Sequence, residues 1–151
     1  MAIRKIVQVG DPVLRKKSFA VTDFGQKTQE LLDDMKDTVK KAEGAGLAAP
    51  QVGVLRRIFV TDVDGVYREY INPEIIKQSG KQTSGEGCLS VKGKYGVVER
   101  PYKITIKAQD RMGNLFTLTT EGFEAKAISH EYDHLDGILY IDKAESIEEC
   151  E

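Results

Sequence analysis

The residues with the clearest chemical potential are two histidines and a glutamate near the C-terminal end of the chain. They stand in His130-Glu131-Tyr132-Asp133-His134, which follows the pattern H-E-x-x-H. If this segment is helical, residues four apart share a face, so both imidazoles can bind one metal ion. Glu131 would then lie beside a water molecule held by the metal and could move its proton to a leaving amine. The motif therefore predicts metal-dependent hydrolysis of an amide.

A catalytic site of this kind needs a third protein ligand, and the chain has no third histidine. Tyr140 stands where the metzincin extension of the motif would place its last histidine, which disfavours that class. A downstream carboxylate, as in other H-E-x-x-H peptidases, has little room. We interpret the acidic residues that follow the motif as a solvated tail: Asp142, Glu145, Glu148, Glu149 and Glu151. The thiolate donor Cys88, between Gly85 and Gly93, remains, so we predict a Cys/His/His site.

A third segment, GAGLAAPQ at residues 44–51, could contact a ligand. Its glycines and other small residues let a backbone approach a ligand closely, and the amide of Gln51 can donate to a carbonyl oxygen. Taken alone, such a segment is more often an ordinary loop that ends a helix.

The elements that must position these residues can be predicted from periodicity and turn signals. Apolar residues at a spacing of three and four predict an amphipathic helix over residues 24–43, with Thr22 or Asp23 as its N-cap and Gly44 at its end. Two hairpins are predicted from alternating strands around turn residues. The first joins strands 54–63 and 67–76 through Asp64-Gly65, and the second joins strands 103–108 and 115–120 through Gly113-Asn114.

The H-E-x-x-H segment belongs to a second predicted helix over residues 123–135, which ends before Gly137. The spacing of four of its residues predicts one inner face: Phe123, Ala127, His130 and His134. Strands mixed with two separated helices favour an α+β fold over a regular alternation of strands and helices.

Composition excludes several classes of protein. The chain has 151 residues, 40% hydrophobic and 30% charged, which predicts one folded domain over residues 1–151. A net charge of −2 without a basic stripe argues against a nucleic-acid partner. The absence of a leader pattern and of a long apolar run predicts a cytoplasmic protein with no membrane partner. We interpret the second cysteine, Cys150, as an exposed thiol without a role.

Taken together, the three segments resemble peptide deformylase, a family with the ordered motifs GxGLAAPQ, EGCLS and HExxH. Here they read GAGLAAPQ, EGCLS and HEYDH. The resemblance implies an α+β fold in which antiparallel β-sheets pack around a central helix that bears the HExxH motif, with an N-terminal amphipathic helix. It also implies an enzyme that removes the formyl group from the N-terminal formylmethionine of newly synthesised proteins and releases formate.

The resemblance further implies roles for individual residues. The metal ligands would be Cys88, His130 and His134. Glu131 would be the general base and acid, while Gln51 and the backbone N–H of Leu89 would stabilise the oxyanion. The main chains of Gly46 and Gly87 would hold the peptide. Ala127, together with Ala45, is expected to line a pocket for the methionine side chain.

The ligand types alone suggest Zn2+, whereas the resemblance implies iron(II), Fe2+, with Zn2+, Ni2+ or Co2+ as substitutes. The implied partners are nascent formyl-Met polypeptides and, transiently, the ribosome. Two features depart from the family pattern. Ser129 stands where the family often has glutamine, and the chain closes with SIEECE where many bacterial members continue into a C-terminal helix, so ribosome docking through that helix is not expected.

Two other interpretations remain open at this point. A peptidase of another H-E-x-x-H class would cleave internal peptide bonds rather than formyl groups, but it lacks its third ligand. A structural metal module would need a fourth protein ligand, and an inactive relative would bind formylated peptides without releasing formate.

Overall fold

A computed structural model describes residues 2–149, and these build two helices and eight strands. In chain order the elements are α1 (Gln26–Lys41), β1 (Gly46–Ala48), β2 (Ile58–Val63), β3 (Val66–Ser79), β4 (Gln82–Cys88), β5 (Val91–Arg100), β6 (Lys103–Gln109), β7 (Leu115–Glu121), α2 (Phe123–His134) and β8 (Ser146–Glu149). Short 3-10 turns cover Pro12–Arg15, Ala49–Val52 and Tyr140–Asp142.

The strands form two antiparallel sheets, which confirms the predicted α+β class. One sheet has five strands in the order β1-β2-β3-β6-β7, and the other has three in the order β4-β5-β8. In the described part of the chain, β1 and β4 each pair with a strand on one side only. Both are therefore edge strands, whose backbone groups on the other side are not used in a sheet of the described chain.

Alternation along β2 places the five-stranded sheet between the two helices. Ile58 and Val60 face α1 and pack against residues such as Met35. Phe59 points to the opposite face, where it packs with Ile128 of α2. All five side chains are fully buried. The helix with the H-E-x-x-H motif is thus held on the inner face of this sheet, as the resemblance implied.

The prediction of α1 is confirmed, but its N-cap is wrong. The helix begins after Gly25 rather than after Thr22 or Asp23. The reason is a preceding turn in which the Asp23 carboxylate accepts the Gly25 N–H and its carbonyl accepts the Thr28 hydroxyl. Asp23 therefore stabilises the approach to the helix instead of its first turn.

The second helix is also confirmed, apart from one residue of its inner face. Ala127, His130 and His134 are buried, whereas Phe123 is 55% exposed. Phe123 is the first residue of α2, and it lies at the rim of a cavity rather than over the core.

Both predicted hairpins are present. Asp64 and Gly65 have φ values of 53° and 77°, the left-handed pair that a type I′ turn requires. The first strand begins at Ile58 rather than at 54, because the Leu55 carbonyl and the Arg57 N–H are bonded to the main chain of Phe19. Its partner β3 runs on to Ser79 and pairs with β6.

The three-stranded sheet was not predicted from the sequence. The interpretation of the acidic tail is partly wrong. Ser146–Glu149 forms β8 and pairs with β5, although its side chains are exposed. Asp142 forms an ion pair with Arg15 and accepts the Leu139 N–H. Cys150 and Glu151 lie outside the described residues. Among residues 2–149, no helix combines the length and the apolar character that a bilayer crossing requires.

Candidate metal centre and active site

The three predicted ligands meet at one point between the two sheets. His130 and His134 lie one helical turn apart on α2, and Cys88 is the last residue of β4. Their ligand atoms all lie within 4.8 Å of one another, and Cys88 Sγ is 3.5 Å from His134 Nε2. Because β4 and α2 belong to different layers, this cluster depends on the tertiary fold.

The electrostatics of the cluster suit a bound cation. Burial lowers the pKa of His130, but contacts with Cys88, Glu131 and Glu86 outweigh this and raise the pKa to about 10. Burial and the neighbouring His130 hold the pKa of His134 well below its ordinary value. The two imidazoles thus favour a single positive charge between them. A divalent metal bound by one thiolate and two neutral imidazoles would supply such a charge, so the donor set fits zinc or iron(II).

The orientation of His130 is fixed by a buried chain of charges. Its Nδ1 lies 2.8 Å from Glu86 Oε1, which leaves Nε2 for the cluster. Arg100 donates to both oxygens of Glu86 at 2.8 and 2.9 Å and to Asp133 at 2.7 Å. Burial raises the pKa of Glu86, but these partners outweigh it and hold the pKa at about 2. Arg100 therefore links β4, β5 and α2 on the side of His130 that faces away from the cluster.

The Gln51 amide is also held in one orientation. Its Oε1 accepts the Ala48 N–H at 2.9 Å, so its NH2 group must face the other way. That group donates to Ser90 Oγ at 3.1 Å and lies 3.6 Å from Cys88 Sγ. Gln51 is 1% exposed and therefore presents a preorganised donor beside the ligands.

Glu131 is packed against the main chain of β1. An added Cβ on Gly46 would lie 2.8 Å from both Cγ and Oε2 of Glu131, so only glycine fits there. Glu131 is 4% exposed, and its Oε1 has no hydrogen-bond partner within residues 2–149. Burial raises the pKa of this carboxyl to about 7, although the positive charges of His130 and Arg100 partly oppose the shift.

A cavity of about 420 Å³ opens onto these groups. Its walls include nine of the residues predicted from the sequence: Ala45, Gly46, Gln51, Gly87, Cys88, Leu89, Ala127, His130 and Glu131. The exception is His134, which is 1% exposed. The cavity lies between the edges of β1 and β4, so main-chain groups of both sheets border it.

The predicted substrate-binding residues take different positions in this cavity. Gly46 lies on β1 beside Glu131, and Ala45 precedes it with its carbonyl bonded to the Asp62 N–H. Gly87 is exposed on β4, and a Cβ there would meet only the Lys94 carbonyl oxygen, at 3.8 Å. Ala127 is 8% exposed and borders the cavity from α2.

Sequence reasoning missed the residues that support the ligands. Glu86 and Asp133 lie inside recognised motifs, so their positions offered a signal. Tyr140, noted only as a missing histidine, stacks on the His130 ring with centroids 6.0 Å apart. Arg100 had no local signal. Ser129 is buried with its Oγ 3.4 Å from Arg100 Nη1.

Comparisons with known proteins agree with this geometry. A family model described as polypeptide deformylase matches residues 3–149. A protein from Caldicellulosiruptor bescii named peptide deformylase is 55% identical over 143 residues, covering 95% of this chain and 86% of that protein. Peptide deformylase 1 of Clostridium perfringens is 52% identical, with 94% and 98% covered. The crystal structure of peptide deformylase from Thermotoga maritima superposes with a TM-score of 0.93 at 38% identity, covering 95% of this chain and 99% of that one.

Proposed function

The chain belongs to the polypeptide deformylase family and removes formyl groups from N-terminal methionine, and from this premise we propose that it does so by metal-assisted hydrolysis in the cavity between β1 and β4. The observation that carries the proposal is the cluster of Cys88, His130 and His134, of which Cys88 and His130 line the cavity together with Glu131. Each component of the chemistry can be assigned to a side chain or a main-chain group.

Cys88, as a thiolate, and the two histidines, as neutral imidazoles, would hold the metal. When bound, the metal acts as a Lewis acid on the formyl carbonyl and lowers the pKa of a water molecule. We assign Fe2+ as the native ion, with Zn2+, Ni2+ or Co2+ as substitutes. Family resemblance supports the choice of iron, while the mixed sulfur and nitrogen donors are compatible with all four ions.

Glu131 acts as the general base and then as the general acid. Its Oε1, which has no hydrogen-bond partner among the described residues, accepts a proton from the attacking water as oxygen bonds to the formyl carbon. The same carboxyl returns that proton to the amide nitrogen when the carbon–nitrogen bond breaks. The products are formate and the free amine of the peptide. Packing against Gly46 holds the carboxylate in place through both steps.

Gln51 and the backbone N–H of Leu89 stabilise the negative charge that develops on the formyl oxygen. The Ala48 N–H fixes the Gln51 amide with its NH2 group toward Cys88, on the side where that oxygen must lie. Leu89 directly follows the ligand Cys88 and borders the same cavity. Donors that are already oriented need no rearrangement as the charge forms.

The peptide binds as an extended chain between the edges of β1 and β4. The main chains at Gly46 and Gly87 face the cavity from its two sides, so backbone pairing can hold a peptide without a particular side-chain sequence. Ala127 and Ala45 leave room for the methionine side chain. The partner is a nascent formyl-Met polypeptide, so we place the activity in the cytoplasm, where such chains are synthesised.

The test is formate release from formyl-Met-Ala-Ser by protein purified without oxygen, with its metal content measured. We expect release to stop on chelation and in two variants, Glu131→Gln and Cys88→Ser. The first should retain its metal and the second should lose it, because Cys88 is a proposed ligand and Glu131 is not. Glu121→Gln, at an exposed glutamate outside the cavity, is the matched control and should keep full activity.

Two results would overturn the proposal. A folded, metal-loaded protein that releases no formate would instead be a relative that only binds formylated peptides. Cleavage of internal peptide bonds in the same substrate would indicate a peptidase of another class. Activity retained by Glu131→Gln would remove that residue from the mechanism while leaving the reaction intact.

A further inference from the structure

The cavity mouth carries three lysines that the proposed chemistry does not use. Lys92 and Lys94 lie on β5 and Lys126 lies on α2, and all three line the cavity. Lys92 and Lys94 are exposed, whereas Lys126 is half-buried. Lys126 Nζ donates to the Gly85 carbonyl at 2.7 Å, which holds its charge against the edge of β4. The two walls of the entrance therefore present the same sign of charge.

The carboxylates that line this cavity lie deeper than the lysines. Glu86 is 5% exposed, and its two oxygens are bonded to Arg100 and His130. Glu131 is 4% exposed and packs against Gly46. Glu86 attracts the charge of Lys126, but the neighbouring Arg100 repels that charge and so offsets part of the attraction.

None of these three lysines forms an ion pair with a described residue. Within residues 2–149, the lysines that form ion pairs within 4.0 Å are Lys40 and Lys143. One acidic residue does lie near these lysines. Glu149 of β8 stands opposite Lys94 of β5 in the strand register. The Glu149 carboxylate offsets the positive charge of Lys94 more than that of Lys92. Lys92 is therefore the better residue at which to test the effect of the charge.

The first residue of the substrate has no need for these charges. Formyl-methionine has a neutral amide in place of a charged amine, and its side chain is apolar. In an extended chain successive residues advance by about 3.3 Å, so the residues after methionine must cross the entrance to leave the cavity. Their side chains are the groups that pass the lysines.

We propose that Lys92, Lys94 and Lys126 make the enzyme favour formyl-Met peptides with acidic side chains in the residues that follow methionine. This inference rests on the proposed function and adds a preference among its substrates. The attraction acts at an exposed entrance, where it is moderate and is weakened by salt. It speeds productive encounter and lowers KM, without contact with the reacting atoms.

The test compares three C-terminally amidated peptides, formyl-Met-Glu-Ala, formyl-Met-Gln-Ala and formyl-Met-Lys-Ala, so that one side chain alone changes the charge. At about 0.01 M salt, where the Debye length is about 30 Å, we expect kcat/KM to be about fivefold higher for the glutamate peptide than for the lysine peptide. The glutamine peptide should fall between them. At about 1 M salt the three values should converge.

Lys92→Glu should abolish or invert the preference, and Lys92→Gln should reduce it. Lys107→Glu changes the charge by the same amount on the exposed face of β6, away from the cavity, and should keep the preference. Equal rates for the three peptides at low salt, with all of them deformylated, would refute this inference alone. If Lys92→Glu keeps the preference for the glutamate peptide, that preference arises from other residues and the role of Lys92 is refuted. No formate from any peptide would instead refute the proposed function.

Discussion

Replacing Gly46 with alanine should displace the proposed catalytic carboxylate. The new Cβ would stand 2.8 Å from Glu131 Cγ, whereas carbon atoms in good contact are about 3.5 Å or more apart. A shift of about 0.7 Å is therefore needed. The strand cannot easily supply it, because Gly46 pairs with Thr61 and the next residue, Leu47, is fully buried. The Glu131 side chain must move instead.

The expected loss of activity follows from that displacement. A misplacement of about 1 Å at a reacting group can cost about 100-fold in rate, so a shift of about 0.7 Å should lower kcat by about tenfold to 100-fold. This corresponds to about 1.4–2.7 kcal/mol of barrier. Overpacking at a buried site should also lower the free energy of unfolding by about 1–3 kcal/mol. KM should change less than kcat, because the main chain of β1 is retained.

Formate release gives kcat and KM, and urea unfolding gives the stability. Gly25→Ala is a matched control, since its Cβ would also stand 2.8 Å from a carboxylate oxygen, that of Asp23. Asp23 is exposed and can rotate away at the cost of its hydrogen bond to the Gly25 N–H, so activity should be unchanged and the free energy of unfolding should fall by about 1 kcal/mol. A Gly46→Ala protein that folds and keeps the wild-type kcat would show that the packing of Glu131 does not position it for catalysis.

Three further outcomes are expected. Arg100→Leu leaves the buried carboxylates of Glu86 and Asp133 without their main partner. It should therefore lower the free energy of unfolding, measured by urea titration, by about 3–5 kcal/mol. A loss near zero would contradict the importance of this network. Ala127→Trp should fill the pocket for the methionine side chain and raise KM sharply in the formate assay, and an unchanged KM would remove Ala127 from that pocket. A chelator should lower the thermal midpoint of the wild-type protein, because the metal binds only the folded state. Cys88→Ser should abolish that sensitivity to the chelator. Equal shifts in both proteins would show that the metal binds elsewhere.

The sequence predicted those parts of the fold that depend on local signals. Asp64-Gly65 specifies its turn through two left-handed residues, and the apolar spacing of α1 specifies a helix on a core. The cluster of three candidate metal ligands could be predicted because these residue types are rare in this chain and the proposed chemistry requires three donors.

The three-stranded sheet was missed because its strands lack the usual alternation. Gly85 and Gly96 are required by packing rather than by turns. A Cβ on Gly85 would overlap the Tyr95 side chain, and one on Gly96 would stand 3.0 Å from the Ser146 carbonyl oxygen and 3.1 Å from the Tyr140 ring. Such requirements arise between segments that are distant in sequence, so local patterns do not reveal them.

Arg100 illustrates what a single sequence conceals. An arginine before a proline at the end of a strand is ordinarily expected at the surface. Its burial depends on Glu86 and Asp133, one from another strand and one from a helix. Its partners identify its role only after the two sheets and α2 have been assembled.

The cavity lies between edges of β1 and β4 that no other strand of residues 2–149 covers, and this has a consequence for when the enzyme can act. The edges of β1 and β4 can accept a single extended chain, while an α-helix is about 10–12 Å across with its side chains and pairs its own backbone groups. A substrate N-terminus that has already folded, or packed against its own protein, therefore has no free backbone groups with which to pair with these edges. Deformylation must compete with the folding of the emerging chain, and proteins whose first residues become ordered early leave the enzyme the shortest time.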